Sequence, residues 1–230
     1  MSLRALIFDV DGTLAETEEL HREAFNQTFV EFGLEWHWDQ ARYRELLAIT
    51  GGKERMLAHA GSCGIKDFDP QPLHKRKTAI YNEKLSQGEV ELRPGVEALI
   101  RNAKTKGLRL AIATTTSREN VETLIRVTFG GEPHEWFEAI CTGEDVAIKK
   151  PNPEVYRLAL QRLALTAPEA LAFEDTRNGV LAARGAGLEV IVTPSLYSEG
   201  EDFSGALAVI DTLEARALAA AHEASARLGL

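Results

Sequence analysis

At 230 residues, with 44% hydrophobic and 27% charged side chains, the chain has the make-up of a globular protein: one domain, or a domain carrying an insert. Its formal charge of −9 argues against a nucleic-acid or anionic-membrane partner, and it requires that any anionic ligand be held by local cations. No apolar run approaches the ~20 residues of a membrane span, and the chain starts directly in strand-like sequence, without room for a signal peptide.

Cys63 and Cys141 lack metal-ligand spacing and read as reduced thiols. The expectation is a soluble cytoplasmic monomer. The first element, Leu6-Ile7-Phe8-Asp9, reads as a buried strand ending in a carboxylate. Asp9 and Asp11 point the same way in extended backbone, so they repel unless a cation or a shared proton relieves them. Gly12 permits a sharp exit, and Thr13 can fix the turn through its hydroxyl. Read alone, this run is equally a strand-end Asx turn.

Thr17 suits a helix N-cap, with Glu18 and Glu19 favourable to the dipole. Leu20, Ala24, Phe25, Phe29 and Phe32 recur at helical spacing, which predicts a helix over 18–32 stopped by Gly33. From there to about residue 90 the sequence stays helix-like, broken at Thr50-Gly51-Gly52, Gly61 to Gly64 and Asp69-Pro70. The reading is a small α-helical cap domain over 16–91, hinged at 13–17 and 88–94, and inserted into a core made of 1–15 and 92–230.

Strand–helix alternation begins after Pro94-Gly95. A strand over 108–113 ends in Thr114-Thr115-Thr116-Ser117, and the next helix has Val121, Leu124, Ile125 and Thr128 on one face. A weaker strand over 138–142 leads to Lys149-Lys150-Pro151, after which Asn152 caps a helix with Pro153 at its first position. Strand 171–173 ends in Glu174-Asp175; strands follow at 190–192 and 208–210, then an Ala-rich helical tail from Leu213. This alternation predicts an α/β fold, a doubly wound parallel sheet with a Rossmann-like core. Ligands bind at the carboxyl ends of such strands, so Asp9, Asp11, Thr114, Lys150, Glu174 and Asp175 should share one crevice.

Asp9-Val10-Asp11-Gly12-Thr13-Leu14 matches the first motif of the haloacid dehalogenase-like (HAD) phosphohydrolases in full, and the chain resembles that family. The resemblance implies that Asp9 is the nucleophile of an aspartyl-phosphate intermediate, and that Asp11, held protonated, is the general acid/base. Thr114, alone a routine strand-end hydroxyl, takes the place of the second motif that binds the phosphoryl group, with the Thr115 amide beside it. Lys150 before proline matches the third motif, with Lys149 as competitor, and Glu174-Asp175 the fourth. Mg²⁺ is the implied cofactor, held by Asp9, the Asp11 carbonyl, and Glu174 or Asp175.

The insert position is similar to that of the phosphoglycolate-phosphatase/β-phosphoglucomutase branch. Ala15-Glu16-Thr17-Glu18-Glu19-Leu20-His21, Thr50-Gly51-Gly52-Lys53-Glu54-Arg55 and Thr114-Thr115-Thr116-Ser117 look like the CbbY-type sugar phosphatases. Those are associated with the Calvin cycle and remove xylulose 1,5-bisphosphate, so the implied partner is a small phosphorylated sugar, a pentulose bisphosphate. Gly51, Gly52 and Lys53 form a glycine loop before a cation, which could hold a second phosphate or be a plain helix–helix turn. Glu16 and His21 could meet sugar hydroxyls or relay a proton, though His21 could equally be packed or solvated.

The run His74-Lys75-Arg76-Lys77 has the pattern of a solvated face, with Lys77 the choice if one side chain turns inward. Arg118, beside Thr115 and Thr116, is a further candidate for a distal phosphate. A β-phosphoglucomutase-like mutase shares all four motifs and is the alternative reading. A dehalogenase would not need the metal-binding acids, and a non-catalytic binding module would be expected to have lost Asp9 or Asp11.

Overall fold

The computed structural model describes residues 3–88 and 90–216, so the helical tail expected after Leu213 lies for the most part outside the described residues. Strand β1 (Ala5–Phe8) is followed by four helices: α1 (Glu18–Glu31), α2 (Gln40–Leu46), α3 (Gly52–Ser62) and α4 (Gln71–Ser86). Alternation then runs α5 (Val96–Thr105), β2 (Arg109–Ala113), α6 (Arg118–Phe129), α7 (Pro133–Trp136), β3 (Ala139–Cys141) and α8 (Glu154–Arg162). A 3₁₀ turn at Ala167–Glu169 precedes β4 (Ala170–Glu174), α9 (Arg177–Gly185), β5 (Glu189–Val192) and β6 (Ala208–Val209). None of the described helices is long and apolar enough to cross a membrane.

The six strands form one parallel sheet in the order β3-β2-β1-β4-β5-β6. The chain winds outward from β1 in one direction and then in the other, so β1 and β4 flank the point where strand order reverses, the place where such sheets open a crevice. Register sets what meets there. Phe8 pairs with both Ile112 and Phe173, which stands Asp9 beside Glu174 and one step short of the level of Thr114.

Side chains alternate between two buried layers, as the pleat requires. Leu6 and Phe8 face α5 and α6 together with the inner sides of α1 and α4. Ala5, Ile7, Ala111 and Ala113 face α8 and α9, and the small residues let those helices sit close. Phe8 stacks on Phe173 (centroids 4.7 Å apart) and meets the edge of Phe137 at 6.5 Å. The inserted helices have an aromatic cluster of their own, including Phe25, Phe29, Trp38 and Tyr43. Tyr197, from the loop after β5, belongs to that cluster, so the sheet side reaches into the helical side.

The two connections to the insert run side by side: Ala15 bridges antiparallel to Leu92, and the Arg93 amide donates to Leu14 O at 2.8 Å. Arg93 then donates to the carbonyls of Gly12, Thr193 and Pro194, tying both connections to the end of β5.

Local expectations shift in two places. Thr17 occupies the N-cap position of α1 but makes no capping bond, because its backbone is already in the helical region (φ −104°, ψ −10°) rather than extended as a capping residue's is. Asn152 does cap, accepting from the Glu154 amide at 3.0 Å, but Pro153 stands at the N-cap position and α8 begins at Glu154.

Phe8 is fully buried in the central strand between two aromatic partners. Truncation to alanine should cost about 3–5 kcal/mol in denaturant unfolding, and a loss below about 1 kcal/mol would contradict this packing.

Candidate active site

Asp9 leaves β1 with its amide bonded to Phe173 O, so its carboxylate emerges between β1 and β4. The segment after β3 carries Lys150 back over the sheet. Its ammonium donates to Asp9 Oδ1 at 2.5 Å and to Glu174 Oε1 at 2.6 Å. Tyr156 of α8 donates its hydroxyl to the same Glu174 oxygen. Asp9, Glu174 and Asp175 are all buried, with carboxylate oxygens within 4.8 Å of one another.

Burial pushes the Asp9 carboxyl up to about 7; Lys150 pulls it down and Glu174 pushes it up. Burial and the charges of Asp9 and Glu174 raise Asp175 well above the usual carboxylate range. For Lys150, burial opposes the charge, but Asp9 and Glu174 overcome it and hold the ammonium protonated. The two acids of the fourth motif rest against glycines. A Cβ on Gly12, which has φ +75°, would lie 2.1 Å from Asp175 Oδ2, and one on Gly179 would lie 1.8 Å from Glu174 Oε2.

Asp11 is held separately. Its Oδ1 accepts from the Thr17 hydroxyl at 2.6 Å and faces His21 Nε2 at 3.1 Å, while His21 Nδ1 faces the Lys77 ammonium at 2.5 Å. Because an ammonium can only donate, Nδ1 accepts and Nε2 carries the hydrogen given to Asp11. The imidazole lies flat against Tyr81 (3.9 Å between centroids), and Lys77 sits over the rings of Phe25 and Tyr81. Burial pushes Lys77 down to about 7. Burial also acts to raise Asp11, but His21, Thr17 and Lys77 together outweigh it and leave the group at about 2. At rest, these partners favour the ionised form of Asp11.

These groups open onto a cavity of about 590 Å³ between the strand ends and the inserted helices. Asp9, Asp11, Thr114, Thr115, Thr116, Lys150 and Asp175 line it from the sheet side, and His21, Gly51, Gly52, Lys53 and Lys77 from the helical side. Thr114 accepts from the Thr116 amide at 3.3 Å. Gly51, at φ +102°, caps α3, and Thr50 accepts from Asn178 of α9 at 3.2 Å, so the glycine loop is anchored to the sheet side.

Two expected site residues are elsewhere. Glu16 pairs with Arg93 Nε at 3.2 Å and accepts from the Leu196 amide at 3.4 Å, off the cavity wall, because the paired connections turn it toward the end of β5. Arg118 is drawn to Asp145 at 2.9 Å and to Ile140 O at 3.2 Å, on the β3 side of α6, and does not line the cavity. Of the adjacent lysines, Lys149 pairs with Glu54 of α3 at 2.7 Å and leaves the carboxylates to Lys150.

Sequence reasoning missed Tyr156, and it gave no role to Arg55. Arg55 is buried on the cavity wall, donates to Tyr43 Oη at 3.0 Å and lies over the Tyr43 ring. Neither has a local signal: each is one polar residue in an amphipathic helix, with a role set by partners elsewhere in the fold.

The chain belongs to the haloacid dehalogenase-like hydrolases, whose family pattern it matches over residues 6–193. Among relatives it is 54% identical, over 97% of its length and 99% of theirs, to the protein CbbY of Rhodobacter capsulatus. It superposes with a TM-score of 0.88 on crystalline CbbY from Rhodobacter sphaeroides in complex with phosphate, at 48% identity over 93% of this chain and 96% of that one. A mutant of that protein in complex with xylulose-(1,5)bisphosphate matches equally well, with a TM-score of 0.88 and 47% identity over 93% and 96% of the two chains. The chain is accordingly a phosphatase with the α/β fold of this family.

Gly179→Ala isolates the close packing around Glu174. Replacing a helical glycine by alanine ordinarily stabilises by up to about 1 kcal/mol. Here it should destabilise by about 1–3 kcal/mol through overpacking, read from denaturant unfolding. A stabilised variant would mean that Glu174 does not rest where described.

Proposed function

We propose that the protein is a Mg²⁺-dependent phosphatase of phosphorylated sugars, acting through an aspartyl-phosphate on Asp9, with xylulose 1,5-bisphosphate as its substrate. The observation that carries the reading is charge. Asp9, Glu174 and Asp175 together amount to three negative charges when ionised, against the single positive charge of Lys150. The excess of two matches one divalent cation, and the all-oxygen donor set suits magnesium. Asp9, Glu174, Asp175 and the Asp11 main-chain carbonyl would hold the ion, which when bound supplies positive charge to the phosphoryl oxygens.

In this reading Lys150 favours the ionised form of Asp9 and aims it, and Asp9 Oδ attacks phosphorus as the bond to the sugar oxygen breaks. Thr114 and the amide of Thr115 bind the transferring group. The leaving alkoxide takes a proton at Asp11; with Asp11 ionised at rest, His21 passes its Nε2 hydrogen to Asp11 as Lys77 gives one to Nδ1, so the imidazole stays neutral and Lys77 is left as the amine. Asp11 then removes a proton from water as the water attacks phosphorus, which breaks the bond to Asp9 and releases phosphate. Residues 16–91 act as the cap that closes over the sugar. Lys53, with the glycine loop, faces the second phosphate. The substrate assignment draws support from the xylulose-(1,5)bisphosphate complex of the related protein.

Asp9→Asn should abolish turnover with the fold intact, and Asp11→Asn should slow it by at least ~10², both measured as phosphate release from pentulose and hexose phosphates with Mg²⁺. Higher kcat/KM for xylulose 1,5-bisphosphate than for its monophosphates is expected, with no isomerised sugar phosphate formed. Near-normal rates in Asp9→Asn would rule out the covalent route.

Burial lifts Asp9 to about 7 and raises Asp175 well above its usual range, so below about 7 Asp9 holds a proton that a cation must displace, and Asp175 also resists ionising without one. Mg²⁺ affinity should therefore rise with pH through about 7, with protons released on binding. Calorimetry in buffers of different ionisation enthalpy counts them, and a pH-independent affinity would refute the assignment.

A further inference from the structure

Beyond the groups assigned so far, a chain of amides crosses from the inserted helices to the threonine loop. Asn82 of α4 and Asn120 of α6 are both buried where these helices pack together. Asn82 Nδ2 donates to Thr78 O at 3.0 Å and to Asn120 Oδ1 at 3.1 Å; Asn120 Nδ2 donates to Thr116 Oγ1 at 3.0 Å. Thr116 lines the cavity.

The direction of this chain is set from one end. Thr78 O is a main-chain carbonyl and can only accept, so it fixes which end of the Asn82 amide faces it. Asn82 then presents hydrogens to Asn120, which must answer with its oxygen and turn its own NH₂ to Thr116. The Thr116 oxygen is thereby an acceptor toward Asn120, and among the described residues nothing accepts its hydrogen. That hydrogen is left to the cavity. The arrangement leaves Asn82 Oδ1 buried without a partner, a cost that a purely structural amide would avoid by turning over if its other contacts allowed it.

We propose that Asn82 and Asn120 are positioning residues: a relay from α4 that fixes the Thr116 hydroxyl as a hydrogen-bond donor into the cavity, selecting a phosphate oxygen, which only accepts, and making that donor depend on docking of the inserted helices. The inference rests on the phosphatase reading only in requiring that the ligand carry a phosphate.

Asn82→Asp keeps the shape and removes the donor. Asn120 then gives its NH₂ to the introduced carboxylate and its oxygen to the Thr116 hydroxyl, whose hydrogen leaves the cavity. Asn82→Leu is a neutral version that holds no preference and covers the case in which the acid does not fold. Inorganic phosphate, small enough to reach any anion position in the cavity, is the probe, titrated calorimetrically in the presence of Mg²⁺.

Asn82→Asp should weaken phosphate binding about tenfold and Asn82→Leu about threefold. In a Thr116→Ala background both effects should fall below about twofold, since the relay has lost its terminus. Equal weakening in the two backgrounds, or no weakening in either, overturns the relay, because added charge or altered packing would act without the hydroxyl. Hydrolysis of sugar phosphates by the unsubstituted chain judges the functional reading separately.

Discussion

One buried ammonium organises this molecule. Lys150 lies between Asp9 and Glu174, within hydrogen-bond distance of both, at a depth where any of the three charges alone would be strongly unfavourable. Ion pairs of this kind add little net stability against an apolar replacement, but losing one member strands the others. The sheet order serves this constraint: β1 and β4 must be neighbours in register to set the carboxylates side by side, and β3 must lie far enough out for its loop to arch back over them.

Two aspartates two positions apart end in opposite states. Asp9, desolvated among acids, is drawn toward neutral pH, while Asp11 accepts from Thr17 and His21 and stays ionised. Environments that drive paired carboxyls apart are how one site obtains distinct roles from one residue type. The separation is built from different elements. Sheet neighbours and the β3–α8 loop surround Asp9, whereas the first and fourth inserted helices surround Asp11 through His21 and Lys77. Asp11 is thus tuned by the part of the chain that covers the cavity.

Much of this was legible in the sequence because it follows from strand direction. Apolar runs ending in Asp9, Thr114 and Glu174 had to bring those residues to one edge of a parallel sheet, and the insert stood out by its lack of alternation. Side chains just off those strands were another matter. Glu16 was expected at the sugar, yet the pairing of the two connections delivers Arg93 to it. Thr17 was expected to cap a helix, but its backbone is itself helical and its hydroxyl points back to donate to Asp11. Arg118 follows Asp145 rather than the threonine loop it adjoins. In each case the deciding partner comes from a packing contact that periodicity does not encode. Lys77, placed in a run that reads as a solvated face, turns inward because Phe25 and Tyr81 offer their rings to its charge.

The aromatic cluster of the inserted helices is completed by Tyr197, which also donates to Glu19 and meets Tyr43 edge-on, while Arg44 bonds Leu196 O beside it. The boundary drawn by chain connectivity is therefore not the boundary drawn by packing. Exchanging residues 16–91 between relatives to transplant a substrate preference would carry over a cluster with one wall missing. A working chimera has to bring the 194–198 segment along with the helices, even though more than a hundred residues of sheet and helix separate the two in the gene.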